Sequence, residues 1–124
     1  MDELKPKVGT IGWLDLTVAE ASPIRDFYRA VIGWDSSEQE MEGYSDFNML
    51  VGETKMVVAG VCHARAENAD LPAQWVVYVW VADAKASAAA AEARGGRVLK
   101  WLGDAFCVIQ DPAGAVMGLM GVPK

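Results

Sequence analysis

Apolar and polar positions alternate from residue 8 to residue 18 in a stretch rich in β-formers, which predicts a half-buried strand. The alternation stops at Ala19-Glu20-Ala21-Ser22-Pro23, where Ser22 offers a helix N-cap and Pro23 a first helical position. Beyond it Ile24, Phe27, Tyr28, Val31 and Ile32 recur at helical spacing, and Gly33 is a C-cap residue. Three short strands are expected next, at 34–40, 44–51 and 54–61, parted by turns at Glu42-Gly43 and Gly52-Glu53.

The segment 62–74 has no clear period and carries Asn68, Asp70 and Pro72, so it reads as a linker. Regular structure resumes with a Val-, Tyr- and Trp-rich strand at 75–81. Asp83 then caps an alanine-rich helix at 84–94, which Gly95-Gly96 stops. Strands at 97–102, 105–110 and 115–120 follow, broken by Gly103-Asp104 and by Asp111-Pro112-Ala113-Gly114. The halves repeat: an offset of 63 (81 − 18) carries Val18-Ala19-Glu20-Ala21 onto Val81-Ala82-Asp83-Ala84, and Gly33 onto Gly96. The expected fold is α+β, a single domain over 1–124 with one βαβββ module at 8–61, a linker at 62–74 and a second module at 75–122. Each module covers one sheet face with its helix and leaves the other open, so two paired modules would form a curved mixed sheet around a cleft.

Composition narrows the partners. The chain has 124 residues, 52% of them hydrophobic, enough for one compact core. Eleven Lys and Arg against 17 Asp and Glu give a net charge of −6, which argues against a phosphate-neutralising surface and so against nucleic acid. No uncharged run approaches the roughly 18 apolar residues of a membrane span, and the charged N-terminus lacks the apolar run of a secretion signal. Two cysteines, Cys62 and Cys107, are too few for a disulfide scaffold, so reduced thiols and a cytoplasmic location are expected.

Strand parity nominates side chains for the open face. If Leu14, Leu16 and Val18 pack on the first helix, then Trp13, Asp15 and Thr17 face the cleft. By the same parity Val76, Tyr78 and Trp80 face inward from the second module while Val77, Val79 and Val81 cover its helix. Indole and phenol rings are flat apolar walls that attract cations, and Asp15 would add a charge-assisted hydrogen bond. The plainer alternative is that the rings fill the sheet interior and Asp15 pairs with a neighbouring strand or Tyr78. Met56, Val58, Val116 and Met120 are weaker lining candidates, equally suited to core. Glu20 and Asp83 read as helix-start acids complementing the helix dipole, with no catalytic role.

Three stretches carry a resemblance to a known family. They are Leu14-Asp15-Leu16-Thr17-Val18 through Phe27-Tyr28 to Ile32-Gly33-Trp34, then Tyr78-Val79-Trp80-Val81-Ala82-Asp83 through Gly95-Gly96, and the hairpin Asp111-Pro112-Ala113-Gly114-Ala115. In that order, over nearly the whole chain, they resemble the vicinal oxygen chelate superfamily of glyoxalases, bleomycin-resistance proteins and extradiol dioxygenases. Its metal-dependent members place His, Glu or Gln at four strand positions, where the cation polarises substrate oxygens or binds dioxygen. The resemblance puts those positions at Trp13, at Val76, at Gly118 and at or next to Gly60. None has a side chain able to ligate a divalent metal, so no metal and no cofactor are expected, and the chain is closer to metal-free members. His63, the only histidine, lies beside Cys62 in the expected linker without other ligands at usable spacing and reads as an ordinary loop residue.

The resulting expectation is a metal-independent small-molecule binding protein that sequesters an antibiotic or a planar or cationic metabolite. Its cleft would be lined by Trp13, Asp15, Thr17, Gly60, Val76, Tyr78, Trp80, Gly118 and Met120. One alternative is a lyase- or isomerase-type enzyme with Asp15 as general base and Tyr78 as proton donor or oxyanion partner. Another is a dimerising regulatory domain whose tryptophans form the subunit interface. The resemblance also implies a homodimer, and charge and apolar-run length leave neither nucleic acid nor membrane as an expected partner.

Overall fold

The computed structural model describes residues 5–123. Among them the chain forms β1 (Ile11–Val18), α1 (Ala21–Ile32), β2 (Asp35–Glu40), β3 (Ser45–Val51), β4 (Met56–His63), a 3-10 turn (Ala66–Asn68), β5 (Trp75–Val81), α2 (Ala84–Ala93), β6 (Arg97–Trp101), β7 (Phe106–Gln110) and β8 (Val116–Gly121). This is the α+β class expected. Two compact units share it: Leu14–Trp75, and the residues up to Trp13 together with those from Val76 on.

In the Leu14–Trp75 unit the strand order is β2-β3-β4-β1, with β4 and β1 parallel and the other pairs antiparallel. Helix α1 covers one face. Ala21, Phe47, Met49, Ala59 and Val61 are buried there, with Leu14, Val18, Ile24, Tyr28, Trp34 and Trp75 packed around them. Strand parity therefore holds for Leu14 and Val18. The helix starts two residues earlier than its sequence suggests, with Glu20 and not Ser22 as N-cap and no side-chain cap bond, because the small Ala21 is sunk completely into this core. Pro23 sits in the first turn, where its missing N–H costs nothing. Gly33 closes the helix at φ 89°, its N–H donating to Arg29 O at 2.9 Å. Of the helically spaced apolar residues, Ile24 and Tyr28 reach the core, whereas Phe27, Val31 and Ile32 are exposed.

The other unit repeats the plan with strand order β5-β8-β7-β6 and β5 parallel to β8. Ala88, Cys107 and Leu119 are buried under α2, flanked by Val81, Val98, Trp101 and Ile109. Asp83 caps α2 as expected, its Oδ1 accepting from Lys85 N at 3.0 Å and Ala86 N at 3.4 Å. The hairpin before β8 is tied by Asp111 Oδ1, which accepts from Ala113 N and Ala115 N, and by Gly114 at φ 94°. Gly9 and Thr10 are tied to this unit through Gly9 N–H to Trp80 O (2.8 Å) and Trp80 N–H to Thr10 O (2.9 Å).

A further placement differs from the sequence reading. Cys62 and His63, expected in a linker, are the last residues of β4, paired in parallel with Thr17 and Val18 of β1. Pairing with a strand more than 40 residues away extends β4 past the point where its local period fades.

Candidate functional site

The face of β1 and β4 away from α1 carries Asp15 beside Gly60 and Thr17 beside Cys62. Thr17 and Gly60 are buried, and Asp15 and Cys62 half-buried. The Cys62 thiol donates to Asp15 Oδ1 at 3.3 Å. Burial first, and then the carboxylates of Asp15 and Asp46, push its pKa well above the ordinary thiol value, so it stays protonated. Asp46, only 8% exposed, is anchored by the His63 backbone N–H, which donates to its Oδ1 at 2.8 Å.

His63 belongs to the other side of the same strand. Its Nδ1 lies 3.4 Å from Asp46 Oδ1, within ion-pair range, yet this buried nitrogen has no aligned hydrogen bond among the described residues. The ring stands edge-on to Tyr44 (5.6 Å) and tilted to Phe47 (6.3 Å), while the guanidiniums of Arg65 and Arg25 lie 4.4 Å above Tyr44 and Phe47. It is a packed strand residue rather than the loop residue expected.

On the corresponding face of β5 and β8, Tyr78 lies beside Gly118 and Trp80 beside Met120. Gly118 is required there: a Cβ at that position would overlap the Tyr78 ring. Gly12 likewise leaves room for the Trp80 indole and the end of Met120. Val76, Tyr78 and Met120 are buried, whereas Trp13 and Trp80 in this unit are half-buried. Depressions of about 480 Å³ (beside Ala88, Val98 and Trp101) and about 600 Å³ (beside Phe106 and Val122) mark this unit, and neither is lined by Trp13, Tyr78 or Trp80.

The ring cluster that the Leu14–Trp75 unit assembles was not anticipated. Tyr28, Trp34 and Trp75 meet with centroids 5.1–6.4 Å apart, and Trp75 Nε1 donates to Tyr28 Oη at 3.0 Å. These rings flank the α1 core and have a structural role.

Trp, Gly, Val and Gly at 13, 60, 76 and 118 do not form a donor set for a divalent cation. Among the described residues no three His, Cys, Asp or Glu side chains gather to hold one.

Two βαβββ units, each with its outer strands antiparallel and its first and last strands parallel, define the vicinal oxygen chelate fold. The chain belongs to the glyoxalase-like domain family, whose model matches residues 13–120. Among curated relatives it is similar to Mycobacterium bovis CFP32, which carries a provisional glyoxylase name, at 31% identity over 92% of this chain and 44% of that protein. It is also similar to the Streptomyces peucetius anthracycline biosynthesis protein DnrV, at 26% identity over 90% of this chain and 46% of that protein. The chain thus spans less than half the length of these relatives. A solved structure with the same fold is a variant of Streptomyces coelicolor methylmalonyl-CoA epimerase in complex with 2-nitronate-propionyl-CoA. It has a TM-score of 0.55 and 16% identity, covering 93% of this chain and 98% of that one. Another is methylmalonyl-CoA epimerase in complex with methylmalonyl-CoA and NH4+, at a TM-score of 0.54 and 17% identity, covering 93% and 95%. These fold neighbours hold small-molecule ligands. Among the described residues no helix is long and apolar enough to cross a membrane.

Proposed function

We propose that the chain is a metal-independent small-molecule binding protein, holding an antibiotic or a planar or cationic metabolite, and acting in the cytoplasm as a homodimer. The observation that carries the reading is the absence of a donor side chain at Trp13, Val76 and Gly118 and at or next to Gly60, where the resemblance puts the ligands of metal-using members. Two separable determinants take their place. In one unit the half-buried indoles of Trp13 and Trp80 offer ring faces to a flat ligand; in the other the half-buried Asp15 carboxylate offers a charged acceptor to a cationic group. The buried Thr17, Gly60, Val76, Tyr78, Gly118 and Met120 shape the surroundings of these groups. A relative named for anthracycline biosynthesis supports ring-bearing natural products as the first ligands to try.

The test pairs elemental analysis with equilibrium dialysis of acridine before and after exhaustive chelation. Binding should be unchanged by the chelator, with no stoichiometric metal on the purified chain. About one metal per chain, lost together with binding on chelation, would overturn the reading. Light scattering across micromolar concentrations tests the dimer, which a monomer throughout would contradict.

A second reading, lyase or isomerase chemistry with Asp15 as general base, is favoured by the thiol hydrogen bond that orients this carboxylate. Turnover of a carbonyl or thioester substrate, lost in Asp15→Asn, would establish it.

A further inference from the structure

The Cys62 thiol has two carboxylates within its surroundings and one proton to give. Asp46 Oδ1 already accepts the His63 backbone N–H at 2.8 Å, whereas Asp15 Oδ1 receives the thiol at 3.3 Å. Parallel pairing fixes the geometry, because Thr17 faces Cys62 and Asp15 faces Gly60, so the acid and the thiol stand two residues apart in register on one side of neighbouring strands. We propose that Cys62 is a positioning residue, whose thiol holds the Asp15 carboxylate in the orientation that meets the cationic group of a ligand. This rests on the reading of Asp15 as a ligand contact. Burial and the two neighbouring acids keep the thiol protonated, so it acts as a permanent donor and not as a nucleophile.

The experiment uses the whole chain and two probes of one shape, the cation N-methylacridinium and neutral acridine in mildly alkaline buffer, followed by equilibrium dialysis. Cys62→Ala removes the donor and its volume; Cys62→Val keeps the bulk without the donor; Cys62→Ser keeps a donor. Both donor-free variants should weaken N-methylacridinium by roughly tenfold and leave acridine within about twofold, while Cys62→Ser stays within about threefold of the parent for both. Adding Cys62→Ala to Asp15→Asn should weaken the cation no further than Asp15→Asn alone, since both act through one carboxylate. Should Asp15→Asn weaken the cation while Cys62→Ala and Cys62→Val bind it like the parent, the positioning role is overturned and the Asp15 contact stands. Should Asp15→Asn itself leave the cation unaffected, the contact reading fails and the positioning role with it. Equal weakening of both probes by Cys62→Val would also overturn the proposal, by showing a packing role.

Discussion

The sides of β1/β4 and of β5/β8 away from their helices are one piece of backbone used twice and furnished in opposite ways. Asp15 stands to Gly60 as Tyr78 stands to Gly118, and Thr17 stands to Cys62 as Trp80 stands to Met120. One set is an acid, a hydroxyl and a thiol, the thiol hydrogen-bonded to the acid; the other is two rings and a thioether. In both, the paired strand contributes a glycine, Gly60 or Gly118, so the larger side chain at that register comes from β1 or β5. Duplication fixed the scaffold, and side-chain exchange at matching register gave one face an acid and the other ring area.

The largest way to break the comparison is at the glycine that the ring face needs. Gly118→Ala should lower the unfolding free energy by about 3 kcal/mol, because its Cβ falls on the buried Tyr78 ring and the surrounding core cannot give way. Urea denaturation of Gly118→Ala beside the double variant with Tyr78→Ala checks this. Part of the Gly118→Ala loss should disappear when the ring is absent, a coupling that independent sites would not show.

The two helix starts give a smaller contrast at the same offset. Asp83 accepts two backbone N–H groups of α2, whereas Glu20, at the matching position of α1, makes no cap bond. Asp83→Ala should cost about 1 kcal/mol and Glu20→Ala almost nothing, read from denaturation midpoints.

Smallest in energy are the thiols, which differ in cause but not in outcome. Burial raises Cys107 from 9.0 to about 11, and Cys62 is raised by burial and by two acids. Folded chains should react slowly with a thiol reagent at neutral pH and unfolded chains fast, at both positions. With rising pH the unfolded chain loses its thiol protons first. Stability contributed by the protonated thiols is therefore complete below the ordinary value of 9.0 and falls as pH rises toward about 11. A melting temperature that climbed across that window would contradict both assignments.

Much of this was legible in the chain. The strand Trp75–Val81, the Asp83 cap, the Gly33 stop and the helix-facing parity of Leu14, Val18 and Val81 all follow from local period and capping chemistry. What escaped was decided at long range. The end of β4 depends on its parallel pairing with β1, and the start of α1 on the burial of Ala21, neither of which a local window contains. The role of Cys62 left a faint signal: Gly60 and Cys62 continue one parity, and the pair Gly118 and Met120 repeats their spacing. Asp46 left none, since its meaning lies in the backbone of His63, 17 residues on.

The contrast between the two faces is tested most directly by the affinities of N-methylacridinium and acridine for the parent chain, Asp15→Asn and Trp80→Ala, measured together by equilibrium dialysis. Asp15→Asn should weaken the cation by about tenfold to a hundredfold and leave acridine nearly unchanged, as a charge-assisted hydrogen bond requires. Trp80→Ala should weaken both probes alike, because it removes ring area at roughly 25 cal/mol per Å² whatever the charge. Retention of both affinities in Asp15→Asn with a sharply lowered melting temperature would make Asp15 a structural acid of the sheet, and would contradict the division of labour between the two faces.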